Sequence, residues 1–419
     1  MENVRTYDLV VVGGGAAGLA AALSAYENGV KDILILEKEN CLGGILQQCI
    51  HNGFGLHTFK EQLSGPEYAQ RFIDKLSATN IQYKLNSYVV SISKDKDVYY
   101  SNDEDGFNHI KAKSIVMATG CTERTPGAIM LEGDRVSGIL TAGQAQKYLN
   151  IDGYLVGKKV FILGSGDIGL IMARRMTLEG AKVMGVAELM PYSNGLSRNI
   201  AQCLNDFDIP LYLSHTVKQV VGKDHVEKVV IAKVDERFNY VEDSEMIFDV
   251  DTLILSVGLV PYNVILEDIG TKMSSTRGAY VDENYQTSVE GIFACGNALH
   301  VHDLVDFVSE EAVLAGLSAA KYLKGELKLE GNITKTVNGN GVSYIVPQQY
   351  RLDNIEDKIA FKFRVRKPFH NVKVVIKADG EVIKTLVKPH MLPAEMETIK
   401  LPKNILKEAN ELSFEVKED

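Results

Sequence analysis

The chain has 419 residues, 45% apolar and 24% charged, with 55 acidic against 45 basic side chains and a net charge of −10. That is the composition of an ordinary folded, soluble chain of roughly two to four domains, neither disordered nor fibrous. The acidic balance argues against a nucleic-acid partner, which would favour a basic face.

Taken in chain order, Tyr7–Val12 is a β-branched buried strand and the alanine-rich stretch 16–27 is a helix. Residues 33–36, Ile-Leu-Ile-Leu, form the next strand, so a β-α-β unit fills the first forty residues. The apolar run Leu9–Leu23 holds four glycines. It is shorter than the roughly 20 residues a membrane span needs, and reads as a strand turning into a helix. No targeting segment is visible, and none of the five cysteines, Cys41, Cys49, Cys121, Cys203 and Cys295, forms a C-x-x-C pair. A disulfide framework, a zinc ribbon and an iron–sulfur cluster are disfavoured, and a cytoplasmic location is the expectation.

Residues 65–78 read as helical, followed by short strands near 81–85, 88–93, 97–101 and 108–111 and a buried strand at 114–118. A second β-α-β unit opens at Lys159–Leu163, with a helix to about Glu179 and a strand at 182–187. Strands are expected at 211–213, 217–221, 226–233, 251–256 and 292–295, then a helix over about 307–323. Beyond residue 330, alternating stretches near 342–346, 359–365, 371–377, 381–387, 396–400 and 411–417 suggest a small β-sandwich. The predicted class is α/β: two Rossmann-like dinucleotide-binding domains, 1–122 with 257–330 and 123–256, plus an all-β domain at 331–419.

The chemistry sits in the two turns. Gly13-x-Gly15-x-x-Gly18 lies between strand and helix, and Glu37 ends the following strand. Gly13 permits the turn, Gly15 lets backbone approach a pyrophosphate, and Gly18 lets the helix pack on the sheet. The helix start, including Ala16 and Ala17, offers unpaired N–H groups to phosphates. Glu37, next to Lys38, is placed to accept ribose hydroxyls. A glycine-rich turn with no ligand is the competing explanation. About 150 residues later Gly164-Ser165-Gly166-Asp167-Ile168-Gly169 repeats the pattern, with Glu188 after the next strand and Leu189 and Met190, not Arg, behind it. A carboxylate there favours NAD over NADP, because it bonds a ribose 2′-hydroxyl and repels a 2′-phosphate. An unused second site is the alternative.

This layout resembles the two-dinucleotide-binding flavoproteins of the pyridine nucleotide–disulfide oxidoreductase superfamily, over residues 7 to about 325. The resemblance implies that the first fold holds FAD. Two later signatures agree with it: Ala118-Thr119-Gly120 resembles the A-T-G turn, and Gly291–Asn297 resembles the late flavin motif, with Gly296 kept and Asn297 replacing the usual Asp. Ser256-Val-Gly258 stands where a second such turn is expected. Gly43 and Gly44 match the start of the family's redox-cysteine segment, but the two cysteine positions hold Leu46 and His51. A dithiol relay is therefore not expected. Catalytic candidates are Cys49, whose commoner reading is an inert buried thiol, His51, and the pair His300 and His302; His57 is a further histidine of the region. No metal site is expected.

The stretches 43–55, 164–175 and 300–311 resemble one subfamily more closely: flavin subunits that work beside a glycerol-3-phosphate dehydrogenase-like FAD subunit and a small cysteine-rich subunit. Opine oxidase and hydrogen cyanide synthase subunits are more distant cousins. The resemblance implies an electron-transferring subunit of an oligomeric complex, using FAD and NAD(H), with FMN at a partner interface left open. A free-standing NADH oxidase or peroxidase and a structural subunit with an empty NAD site are the alternatives. Residues 331–419, with only His370 and His390 as lone histidines, are expected to be an interaction module with no part in the flavin chemistry, packed on the FAD domain, on a twin chain or on a partner subunit.

Overall fold

The computed structural model describes residues 4–418; the outermost limits of the expected domains, at 1–3 and 419, lie outside them. The chain divides into two compact units, one made of Thr122–Val260 and the other of the chain before and after it.

In the larger unit, Thr6–Val12 pairs in parallel with Ile33–Leu36 on one side and with Gly106–Met117 on the other. Ile292–Ala294 adds to the far side of Gly106–Met117, bringing Ile292 level with Ile115. Three segments distant in sequence thus end together at the mouth of one parallel sheet, where ligands of such sheets bind. The short strands expected at 108–111 and 114–118 are a single strand, Gly106–Met117. Ala112 and Ser114 are buried between exposed Lys111 and Lys113, so alternation runs through the supposed gap. Its first half joins Asp97–Asn102 and Tyr88–Ile92 in an antiparallel meander.

Helices Ala16–Glu27 and Val305–Leu323 pack against one another at close range. A Cβ on Gly316 would lie 2.2 Å from the Ala21 carbonyl oxygen, and Ser24 Oγ donates to the Val313 carbonyl at 2.7 Å. The C-terminal region belongs to this same unit. It is a sandwich of a five-stranded and a three-stranded sheet, the latter made of Val342–Val346, Lys358–Val365 and Glu397–Pro402. Phe361, Phe363 and Phe414 fill its core, while Val346 joins the core built around strand Thr6–Val12.

The smaller unit holds a five-stranded parallel sheet, with Lys159–Leu163 between Thr252–Leu255 and Lys182–Glu188. A three-stranded antiparallel sheet, His215–Gly222, Val226–Lys233 and Met246–Asp249, accompanies it. Helix Ala142–Asn150, which the sequence reading left unassigned, starts at Thr141, whose Oγ1 accepts the Gln144 N–H. Among the described residues no helix is long and apolar enough to cross a membrane.

Candidate functional site

The three glycines of the first turn differ in what they do. A Cβ on Gly13, at φ +105°, would stand 2.4 Å from the Ala118 oxygen, and one on Gly18 would stand 1.8 Å from the Gly13 oxygen. Those two are demanded by the fold itself. At Gly15 the backbone is extended, at φ −76° and ψ −170°, and the nearest atom to an added Cβ is Gly44 Cα at 3.9 Å. Among the described residues nothing requires a glycine there; the open space is what a pyrophosphate would fill. Helix Ala16–Glu27 has no capping side chain and no acid in its first turn, so its leading N–H groups face that space.

Glu37 is 4% exposed. Its Oε2 accepts the Gly14 N–H at 2.6 Å and its Oε1 the Glu39 N–H at 2.8 Å, which sets the carboxylate against the turn with lone pairs left for a ribose. Lys38 instead points to solvent beside Glu39, with 65% of its side chain exposed. Gly43 bridges to Gly15, and a Cβ on Gly44 would stand 3.1 Å from Gly15 Cα.

Gly120, at φ +72°, has open space beside it. Thr119 Oγ1 donates to the Tyr262 oxygen at 2.7 Å. A Cβ on Gly296 would meet Ala17 Cβ at 2.8 Å, so the late motif touches the first helix. Asn297 Oδ1 accepts the His302 N–H at 3.0 Å, and its Nδ2 lies 3.7 Å from Cys121 Sγ. The structure therefore brings together residues proposed for FAD from both ends of the unit's sequence, Gly13 beside Ala118 and Gly296 beside Ala17.

The second unit repeats this geometry. A Cβ on Gly164, at φ +100°, would lie 2.1 Å from the Ser256 oxygen, and one on Gly169 would lie 2.7 Å from the Gly164 oxygen. Gly166, at φ −64° and ψ 159°, would bring its Cβ no closer than 3.5 Å to Ser256 Oγ. Glu188 is the counterpart of Glu37: its Oε2 accepts the Ser165 N–H at 3.0 Å and the Ser165 hydroxyl at 2.6 Å, and its Oε1 accepts the Met190 N–H at 2.9 Å. Asp167 faces away into hydrogen bonds from the Leu196 N–H and Asn199 Nδ2. Ile168 packs on the core, and the Gly258 oxygen accepts the Arg124 N–H.

Leu46 is buried in the segment where the family's redox cysteines are expected. Cys49 Sγ donates to the Ile45 oxygen at 3.3 Å, and burial pushes its thiol up to about 12, so it stays protonated at neutral pH. His51 Nδ1 lies 3.1 Å from the Asn52 oxygen with its ring against Phe54, and exposed His57 lies against Phe307. All five cysteines are free thiols.

His300 and His302 do converge, with ring centres 4.4 Å apart, on Glu311, which the sequence reading missed. Glu311 Oε2 lies 2.8 Å from His300 Nε2, 3.3 Å from His302 Nε2 and 2.9 Å from Lys362 Nζ, and its Oε1 accepts the Gly296 N–H at 2.9 Å. Burial alone would raise the Glu311 carboxyl, but Lys362 and the two histidines hold it well below the usual range. Burial lowers His300 to about 4 against the pull of Glu311.

Two imidazoles and a carboxylate within 4.8 Å of one another have the makings of a metal site, a convergence the expectation of no such site had not foreseen. Lys362, however, already supplies a positive charge at the shared oxygen, and a divalent ion beside that ammonium would leave excess charge in a buried place. The one signal in the sequence was a glutamate on the buried, small-residue face of helix Val305–Leu323.

Three comparisons bear on this geometry. The model of a family described as pyridine nucleotide-disulphide oxidoreductase matches residues 7–315. A Pyrococcus abyssi NAD(P)H sulfur oxidoreductase (CoA-dependent) is 24% identical over 71% of this chain, and a Streptococcus pneumoniae NADH oxidase is 27% identical over 70%. The matches cover 64% and 65% of those proteins, so the chain spans under two thirds of their length. Among solved structures, a T. acidophilum thioredoxin reductase is 26% identical with a TM-score of 0.61, covering 77% of this chain and 99% of that one. A persulfide reductase from A. fulgidus, 20% identical with a TM-score of 0.58, covers 90% of this chain and 70% of its own and shows the likeness of fold.

Proposed function

The chain belongs to the pyridine nucleotide-disulphide oxidoreductase family, and on that premise we propose that it is an FAD-dependent NADH oxidoreductase that works without a dithiol relay. The observation that carries this reading is the pair of open glycines, Gly15 and Gly166, in turns braced by Glu37 and Glu188. FAD supplies the hydride acceptor when bound; the chain's own groups bind it and orient it. With Leu46 and His51 in the family's cysteine positions and the Cys49 thiol held protonated, anaerobic titration with NADH should consume two electrons per FAD. Cys49→Ser should keep most NADH-to-dye activity. Uptake of four electrons, or near-total loss of activity in Cys49→Ser with FAD still bound, would place a thiol in the reaction.

Cofactor choice rests on Glu188. Glu188→Gln keeps an acceptor for the Ser165 N–H but removes the charge that repels a 2′-phosphate. The preference for NADH over NADPH should narrow by about tenfold, roughly 1.4 kcal/mol. Equal bleaching of the wild-type flavin by both nucleotides would remove the role given to Glu188.

Within this activity we place the chain in the cytoplasm as the electron-transferring subunit of a glycerol-3-phosphate dehydrogenase-like complex, in an oligomer with a flavin dehydrogenase subunit and a small cysteine-rich one. The resemblance of stretches 43–55, 164–175 and 300–311 supports it. A free-standing NADH oxidase is the second reading, favoured by the likeness to the Streptococcus pneumoniae enzyme. The purified chain with NADH and oxygen separates them. Fast turnover alone favours the second, and bleaching with slow reoxidation favours the first. Absence of any NADH-dependent bleaching sinks both.

A further inference from the structure

Strand Lys358–Val365 buries one face fully and, on the other, Lys362. Phe361 and Phe363 enter the sandwich core, while Lys362 and Arg364, two residues apart and so on the same face, reach the segment that follows the late glycine motif. Arg364 Nη2 donates to the Val301 oxygen at 3.1 Å and pairs with the Asp303 carboxylate. Lys362 is 6% exposed, an unusual state for a lysine, and one that costs free energy unless the charge is paired.

Its partner is Glu311, at 2.9 Å. The other oxygen of that carboxylate holds the Gly296 N–H. Asn297, the next residue, is tied by its Oδ1 to the His302 backbone, and the His302 ring stands against Glu311 again. A chain of contacts therefore runs from the C-terminal sandwich through one carboxylate to two residues, Gly296 and Asn297, proposed for FAD.

We infer that Lys362 is a positioning residue for FAD: by anchoring Glu311 it fixes Gly296 and Asn297 in the geometry that receives the cofactor. It acts through Glu311, the acid its ammonium bonds. A neutral side chain at 362 leaves the carboxylate without its cation, and the buried acid then relaxes by taking a proton or turning toward the histidines. Either change weakens its grip on the Gly296 N–H, because an ionised acceptor holds an amide more strongly than a neutral one. The inference rests on the FAD reading above.

The test is FAD release from the full-length holoprotein on serial dilution, followed by flavin fluorescence, with folding checked by circular dichroism. Lys362→Met should weaken FAD binding by about tenfold or more, and Lys362→Arg, which keeps the cation, should bind nearer to the wild type. A general loosening of the fold would not be repaired by the bulkier arginine. If Lys362→Met gives no folded chain, the pair Lys362→Met with Glu311→Gln, which removes both buried charges, takes its place with the same expected loss. Wild-type affinity in Lys362→Met, or in the double variant where it is used, overturns the inference alone, as does an arginine variant as weak as the methionine one. A wild-type chain that holds no FAD overturns the proposed function and this inference together.

Discussion

Gly15→Val is expected to fold and to lose FAD, whereas Gly166→Val is expected to fold, keep its FAD and lose its response to NADH. Both expectations come from the same contrast within each turn. Gly15 and Gly166 have extended backbones that any residue can adopt, and an added Cβ would find its nearest protein atoms at 3.9 Å and 3.5 Å. A valine there costs the empty protein little. It fills instead the place where backbone N–H groups would meet a pyrophosphate. Losing that approach should weaken binding on the order of a thousandfold, about 4 kcal/mol. The contrasting control is Gly18→Ala, whose Cβ would stand 1.8 Å from the Gly13 oxygen and which should fail to fold. Absorbance near the flavin band after gel filtration, and anaerobic bleaching by NADH, read both outcomes. A folded Gly15→Val chain that stays fully yellow removes the FAD assignment, and a Gly166→Val chain that bleaches normally with NADH removes the NAD one.

Those two turns were legible because their chemistry is local. The strand, the glycine spacing, the helix and the acid lie within a short stretch, and each is forced by backbone geometry that the residue types report directly. What the sequence concealed is tertiary. Residues 359–365 read as an alternating strand; in the folded chain Lys362, on the strand's more polar face, is buried and meets an acid 51 positions away. Periodicity reports that two faces differ, not what stands over each. The same limit hid the convergence of His300 and His302 on Glu311. It also hid which residues of the tail reach the segment after the late glycine motif, Lys362 and Arg364 among them.

Ending the chain at Glu330 should therefore abolish the yellow protein instead of merely changing its assembly. The tail supplies more than a docking surface. Val346 packs into the core of the nucleotide-binding half with Tyr344 against it, and apolar burial of that kind contributes about 1.5–3 kcal/mol per side chain. Gln348 exchanges hydrogen bonds with the Val281 backbone, Oε1 accepting its N–H at 2.8 Å and N–H donating to its oxygen at 3.1 Å. Arg351 pairs with buried Asp282 at 3.2 Å, and its N–H donates to Glu283 at 2.9 Å. Each link contributes about 1 kcal/mol or more. Together with the loss of Lys362 and Arg364 from Glu311 and Asp303, these terms approach the margin of about 5–15 kcal/mol that keeps a domain folded. The segment from Gly296 to Asp303 would keep its bonds to Glu311 and Asn263 but lose Arg364 from Val301 and Asp303, and Lys362 from Glu311. Truncated chain recovered after gel filtration should carry little flavin and aggregate through the exposed face around Val281, buried in the intact protein and bonded there to Gln348. A truncated chain that elutes as a folded species, carries stoichiometric FAD and bleaches with NADH would show that the sandwich is dispensable, and that the contacts through Glu311 do not support the cofactor.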